Sequence, residues 1–80
     1  MSTLTGPKPM PLAVNVSFDE HQLAVALADG RTIIAPLEWF PALRDATPTQ
    51  KADWRLIGGG VGIHWEELDE DISVEALLAA

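Results

Sequence analysis

The chain has 80 residues, a length that limits it to one domain and excludes a two-domain enzyme, a barrel or a dinucleotide-binding fold. Lys and Arg number 5 against 12 Asp and Glu, and the resulting net charge of −7 argues against binding nucleic acid by neutralising phosphates. Cysteine is absent and 48% of residues are hydrophobic, which excludes disulfides and zinc–thiolate sites and predicts a globular core.

The first residues differ in composition from the rest of the chain. Residues 1–11 carry one glycine and three prolines without apolar periodicity, so we predict a flexible N-terminal tail there. A single domain should then span residues 12–80. No segment is typical of a signal peptide or long enough in apolar residues for a membrane span, which predicts a cytoplasmic protein without a membrane partner.

Alternating apolar residues predict two strands after Leu12. The alternating residues are Val14, Val16 and Phe18 in the first run, and Leu23, Val25 and Leu27 in the second. A turn at residues 19–22 that pairs Phe18 with Leu23 also pairs Val14 with Leu27. This register puts every large apolar residue of both strands on one face.

Asp29-Gly30 lies between two alternating runs and is typical of a two-residue type I′ hairpin. Such a turn pairs Leu27 with Thr32 and Val25 with Ile34, and it predicts a third strand over residues 31–35. The result is a three-stranded antiparallel meander with one apolar face that needs cover.

Helices are predicted to provide that cover. Leu37, Phe40 and Leu43 have helical spacing, and Pro41 can lie in the first turn of a helix, where its missing N–H matters least. A second helix should begin at the N-cap Thr47, complete a capping box with Gln50, and run to about Trp54.

The sequence of the last third of the chain predicts short strands, a turn, a loop and a final helix. Residues 56–57 and 61–65 have the composition of short strands, and the glycines 58–60 between them that of a turn. Residues 66–71, five of which are acidic, are predicted to be a loop, followed by a final helix from Ser73. The predicted fold class is therefore α+β, an antiparallel sheet led by a three-stranded meander with two or three short helices packed on one face.

A long series of motifs from Asp29 onward resembles one known family. The motifs are Asp29-Gly30-Arg31, Pro36-Leu37-Glu38-Trp39-Phe40-Pro41, Ala46-Thr47-Pro48, Trp54-Arg55-Leu56-Ile57-Gly58-Gly59-Gly60, Gly62-Ile63-His64-Trp65 and Leu68-Asp69-Glu70-Asp71-Ile72-Ser73-Val74. On these motifs, nearly the whole chain past Leu12 resembles the domain-of-unknown-function family 2442. The resemblance implies a small bacterial or phage-borne α+β domain without established catalytic residues. Some members look like the antitoxin of a two-gene pair, and some carry a helix-turn-helix domain for which this chain has no room.

No motif indicates catalysis, a metal or a cofactor. The glycine run at 58–62 lacks the Lys-Ser/Thr of a phosphate-binding loop and precedes an apolar stretch, so it is predicted to be a turn that needs positive φ or close backbone approach. The acids near His64 do not have the spacing of a calcium loop. Neither His64 nor His21 belongs to a nucleophilic triad pattern, so we predict a non-enzyme. A small hydrolase or metal-dependent enzyme is kept as the weakest alternative.

Charge is distributed unevenly along the chain. After Arg55 there is no Lys or Arg, and a region of one charge sign attracts a basic partner. Tryptophan is common in interface hot spots. The predicted partner-binding residues are Glu66, Glu67, Asp69, Glu70, Asp71, Glu75, Trp39 and Trp65. The alternative is that the acids form a solvated loop that favours the start of the last helix, and that the tryptophans belong to the core.

These features predict a non-enzymatic inhibitor or adaptor that presents an acidic surface to a basic, nucleic-acid-handling protein. The partner would be toxin-like or a subunit of a nuclease complex, so the chain would act as an antitoxin or as a phage DNA mimic such as an anti-CRISPR protein. Direct nucleic-acid binding is not expected. The alternative is a sensory or dimerisation domain of a transcriptional regulator, which would make a homodimer.

Overall fold

The computed structural model describes residues 11–80 and contains two three-stranded antiparallel sheets. The first sheet consists of β1 (Ala13–Phe18), β2 (Gln22–Leu27) and β3 (Thr32–Pro36), and the second of β4 (Trp54–Ile57), β5 (Gly62–Trp65) and β6 (Glu70–Ser73). A 3₁₀ helix (Leu37–Trp39), α1 (Pro41–Arg44) and α2 (Pro48–Ala52) connect the sheets, and α3 (Val74–Ala79) follows β6. The α+β class is confirmed, and the strands form two sheets. The predicted tail over residues 1–11 lies, apart from Pro11, outside the described residues.

The register of β1 against β2 is confirmed at one end and wrong at the other. Phe18 lies opposite Leu23, as predicted, but Ala13 occupies the place opposite Leu27 that was predicted for Val14. The register shifts between Ala13 and Asn15, which leaves Val14 as the extra residue of a bulge, with 53% of it exposed. The small Ala13 is buried in its place.

The hairpin between β2 and β3 also differs from the prediction. Gly30 has a φ of 97°, whereas Asp29 does not have the positive φ that a type I′ turn requires. The amide of Leu27 donates to the carbonyl of Arg31, which closes a three-residue loop. Thr32 therefore lies opposite Ala26 and not Leu27, and the whole of β3 is displaced by one position.

This displacement reverses the two faces of β3. Ile34 lies opposite Ala24 and is 58% exposed, whereas Ala35 lies opposite Leu23 and is buried. A shift of one residue exchanges the core face and the solvent face of a strand, because side chains alternate with a period of two. The predicted inward position of Ile34 is therefore wrong.

The helical region after β3 divides at a proline. Phe40 is not helical, with φ −132° and ψ 78°, because the ring of Pro41 disfavours helical backbone in the residue before it. The predicted place of Pro41 in the first turn of a helix is confirmed by α1, whereas Leu37 lies in the separate 3₁₀ helix. The capping box of α2 is confirmed, since the Thr47 hydroxyl accepts from the Gln50 amide and the Gln50 side chain accepts from the Thr47 amide. Trp54 already belongs to β4.

The second sheet contains a strand that the sequence did not indicate. β6 begins within residues 66–71, which were predicted to be a loop, and its pairing places Ile72 opposite Ile63. Both isoleucines are buried. The turn before β6 is closed by the Asp69 amide, which donates to the Glu66 carbonyl, and Asp69 itself has a φ of 50°. Ser73 caps α3 by accepting from the Ala76 amide, which confirms the predicted start of the last helix.

One hydrophobic cluster contains buried residues of both sheets and of the helices. Its members are Ala13, Val16, Leu23, Val25, Leu27, Ala35, Leu37, Leu43, Ile63, Trp65, Ile72, Val74 and Leu77. In the part of the chain that the structure describes, no helix is long and apolar enough to cross a membrane.

Candidate functional site

The acidic residues predicted to bind a partner lie on the turn after β5, on β6 and at the start of α3. We call residues 66–75 the acidic stretch. Its carboxylates are exposed except that of Glu70, which is half-buried. The exposed carboxylates are those of Glu66, Glu67, Asp69, Asp71 and Glu75. Ile72 and Val74 alternate with them and are buried, so the local backbone is held by the core while the charges face solvent.

A polar row crosses the outer face of the second sheet and uses two of these acids. Arg55, His64 and Asp71 occupy paired positions on β4, β5 and β6. The Asp71 carboxylate lies 2.5 Å from His64 Nδ1, and Glu66 Oε1 lies 3.1 Å from His64 Nε2. Arg55 Nη2 donates to the same Glu66 oxygen at 3.0 Å. The negative charges of Glu66 and Asp71 are therefore partly balanced within the chain.

This row determines the chemistry available to His64. The hydrogen bond that His64 Nδ1 donates to the Asp71 carboxylate is the main reason that the pKa of His64 is raised above its ordinary value, although desolvation opposes the rise. Both ring nitrogens face carboxylate oxygens, so the protonated imidazole is the form that satisfies them. A histidine held in this way has no free ring nitrogen with which to act as a general base.

Replacing Asp71 with Asn should lower the pKa of His64, because the largest favourable contact of the imidazolium is lost. In the wild-type chain this contact stabilises the fold fully below the ordinary histidine pKa of 6.5, and the contribution disappears as pH rises through the raised pKa. The difference in free energy of unfolding between wild type and Asp71→Asn should therefore shrink as pH rises through the raised pKa of His64. NMR titration of the His64 ring protons and denaturation curves measure both effects.

Glu38→Gln is the matched control, since it removes a carboxylate that contacts Arg44 and not His64. The pKa of His64 should be the same in this variant as in wild type. A His64 titration curve that is identical in Asp71→Asn and wild type would contradict the assignment of the raised pKa to the contact between these two side chains.

The other carboxylates of the acidic stretch remain uncompensated. Among the described residues, no Lys, Arg or His lies within ion-pairing distance of four of them. These four are Glu67, Asp69, Glu70 and Glu75. A region of this kind produces a negative potential that extends into solvent, to about 8–10 Å at moderate salt.

The described arginines are already engaged with acids elsewhere. Arg31 contacts Asp29 at 2.7 Å, and Arg44 contacts both Glu38 and Asp45. Arg55 contacts Glu66. The guanidinium groups of residues 11–80 are thus each paired with a carboxylate and do not form the basic cluster that phosphate binding requires.

The two tryptophans predicted to bind a partner have opposite environments. Trp39 is 56% exposed and lines a shallow depression with Asp71, Ser73 and Ala76, which brings two of the predicted residues together. The prediction that Trp65 binds a partner is wrong, because its side chain has no exposed surface. Its Nε1 donates to the Lys51 carbonyl at 3.0 Å. The sequence signal for its burial was its position two residues after Ile63, because residues two apart on a strand lie on the same face.

Sequence reasoning missed a groove between α3 and the second sheet. The groove has a volume of about 640 Å³ and is lined mostly by apolar side chains, including those of Ile57, Val61 and Leu78. Asp71 and Glu75 also line it, so the groove adjoins the acidic stretch. Its walls come from three separate parts of the chain, which is why no local pattern indicated it.

Within residues 11–80, no group of three His, Cys, Asp or Glu side chains is placed to hold a metal ion.

The glycine run is a turn, as predicted, since Gly58, Gly59 and Gly60 have φ values of 59°, 72° and 119°.

Comparison with known proteins gives a family and two similar folds. The family described as "Protein of unknown function (DUF2442)" matches residues 13–80. A crystal structure of a protein of unknown function from Rhodospirillum rubrum is 32% identical, with a TM-score of 0.74 over 89% of this chain and 88% of that one. An NMR structure of an uncharacterized protein from Chromobacterium violaceum is 27% identical, with a TM-score of 0.71 over 85% of this chain and 64% of that one. No curated protein matches the chain significantly.

Proposed function

The chain belongs to the DUF2442 family, whose function is unknown, and we propose that it is a non-enzymatic interaction module that binds and inhibits a basic partner protein. The partner handles nucleic acid, as a toxin or a subunit of a nuclease complex does. The chain then acts as an antitoxin or as a phage inhibitor that competes with DNA.

The observation that carries this proposal is the uncompensated charge of the acidic stretch. Four carboxylates within nine residues, from Glu67 to Glu75, have no cationic partner among the described residues, although each arginine there has an acidic one. A protein that needed acids for solubility alone would gain nothing from concentrating them in one short segment, one of whose acids, Glu75, lines the apolar groove. Charge of one sign in one region increases the rate at which an oppositely charged partner associates.

The alternative is a dimerisation or sensory domain of a transcriptional regulator. Two exposed apolar side chains on the first sheet favour it, namely Val14 at 53% and Ile34 at 58% exposure. A homodimer formed through this sheet would bury them. Light scattering of the purified chain at several concentrations distinguishes a dimer from a monomer, and an Ile34→Lys variant shows whether this sheet is the contact.

The proposed function predicts a partner whose capture depends on charge. Immobilised full-length chain should retain a basic protein from host lysate at low salt and lose most of it at about 0.5 M salt, where the screening length falls to a few Å. Replacing both Glu67 and Glu75 with Lys should weaken the capture by about tenfold, because each reversal removes an attraction and adds a repulsion. Glu66 and Asp71 are left intact because they hold His64.

The matched control replaces Glu20 and Asp53 with Lys, which changes the net charge equally at exposed positions outside the acidic stretch. This control should retain the partner. Equal capture by both double variants, or capture that does not weaken with salt, would contradict the role of the acidic stretch.

A further inference from the structure

The groove between α3 and the second sheet gathers exposed apolar side chains from distant parts of the chain. Ile57 ends β4, Val61 lies in the turn before β5, and Leu78 lies on α3. They are 40%, 44% and 40% exposed. Large apolar side chains that are scattered singly on a surface need no explanation, but a contiguous group indicates an interaction site.

The rim of the groove is acidic. Asp71 and Glu75 line it, and no Lys, Arg or His does so among the described residues. Glu75 has no cationic partner there, while Asp71 contacts only His64. An occupant of this groove must therefore match an apolar floor and a negative rim together.

We infer that the groove binds a short segment of the basic partner in which apolar side chains are flanked by Lys or Arg. The apolar side chains lie against Ile57, Val61 and Leu78, and the flanking cations contact Asp71 and Glu75. This inference rests on the proposed function, since it names the part of the partner that the surface recognises. The volume of about 640 Å³ lies within the range of roughly 300–1,000 Å³ typical of small-molecule pockets, which is room for a few side chains of a bound segment.

The two parts of the site contribute differently. Apolar contacts in a groove exclude water and set how long a bound segment remains, whereas carboxylates at the rim accelerate its arrival and select its charge. Acids alone would attract any cation. The apolar floor gives the site a preference for segments that combine both properties.

A library of random peptides of about twelve residues, displayed against the full-length chain, tests the inference directly, since one such segment spans roughly 40 Å when extended. The enriched peptides should combine Leu, Ile, Val or Phe with Lys or Arg. A synthetic copy of the best peptide should bind wild type and lose about tenfold in affinity to Leu78→Ser or Val61→Ser, because each removes exposed apolar contact area. Glu75→Gln should weaken binding by a smaller factor that disappears at high salt.

Ile34→Ser is the matched control for the apolar variants, because it removes a large exposed side chain from the first sheet. Glu20→Gln is the control for the charge variant. Both should bind the peptide as wild type does. Since the tested side chains are all partly or largely exposed, the variants should unfold at the wild-type temperature, and this is measured for each.

Several results would overturn the inference. These are the absence of enriched peptides, enrichment of acidic or uncharged sequences, or equal binding by Leu78→Ser and wild type. A concentration-dependent dimer that Leu78→Ser abolishes would assign the groove to a second copy of the chain. Nuclear Overhauser effects between the Leu78 methyls and residues 1–10 in the free protein would assign it to the chain itself.

The inference and the proposed function can fail separately. If Glu67→Lys with Glu75→Lys abolishes capture of the basic partner while Leu78→Ser does not, the acidic stretch binds the partner and the groove does not. If library peptides bind the groove but no basic protein is captured at low salt, the groove is a binding site and the proposed function is wrong.

Discussion

Replacing Trp65 with Ala should destabilise the fold by about 3–5 kcal/mol, the cost typical of removing a fully buried large aromatic side chain. Trp65 is 0% exposed and belongs to the cluster shared by both sheets. Its ring meets that of Phe18 on β1 edge-to-face, with centroids 6.3 Å apart. Its Nε1 donates to the carbonyl of Lys51 in α2. The substitution removes all of these contacts and leaves a cavity between the sheets.

Urea denaturation followed by circular dichroism measures the effect. Trp65→Phe keeps most of the apolar contact and loses the hydrogen bond to Lys51, so it should cost less than Trp65→Ala and still yield a folded protein. Trp39→Ala is the matched control, because Trp39 is 56% exposed and its loss should change stability by about 0.5 kcal/mol or less. Comparable stabilities of Trp65→Ala and Trp39→Ala would contradict the burial of Trp65.

Replacing Gly60 with Ala should destabilise the fold by more than about 2 kcal/mol, because two costs coincide at this position. The φ of 119° is unfavourable for any residue with a Cβ. A Cβ at Gly60 would also lie 2.5 Å from the Ala13 carbonyl oxygen and 2.9 Å from the Ala13 nitrogen. The neighbouring atoms are backbone, so they cannot rotate away.

The position matters because Gly60 connects the two sheets. Its carbonyl accepts from the Ala13 amide at 2.8 Å, which joins the turn between β4 and β5 to the start of β1. Any displacement that relieved the clash would stretch this hydrogen bond. The predicted loss therefore reports on the contact between the sheets and not only on the turn.

Gly59→Ala separates the two costs. Gly59 also has a positive φ, of 72°, but a Cβ there would meet nothing within 4 Å. The Gly59→Ala variant should therefore be destabilised only by the conformational cost, about 1 kcal/mol. Denaturation curves of both variants give the difference, and equal losses would contradict the close approach of Gly60 to Ala13.

Features that depend on neighbouring residues could be predicted from the sequence. The capping box of Thr47 and Gln50 and the cap at Ser73 are formed by residues three positions apart, so their chemistry is complete within one turn of helix. The positive φ values of the glycine turn follow in the same way from residues that lack a Cβ. Exposure of most of the acidic stretch follows from the cost of burying unpaired carboxylates.

Features that depend on pairing between distant strands could not be predicted from the sequence. The loop of three residues at Asp29-Gly30 moved β3 by one position, and this single shift decided that Ile34 is exposed and Ala35 buried. β6 formed within an acidic stretch because Ile72 pairs with Ile63 and is buried beside it. The energy that favours a strand there comes from burial against residues far along the chain, which no local pattern contains.

The candidate site likewise combines features that the sequence determines with features that depend on strand pairing. The sign and position of its charge are properties of the amino acids in order, since no Lys or Arg follows Arg55. Three features of the site depend on which strands pair and in which register: the contact between Asp71 and His64, the burial of Trp65, and the meeting of Ile57, Val61 and Leu78 in one groove. Register sets the face on which each side chain lies, because side chains alternate along a strand, and only tertiary packing sets the register.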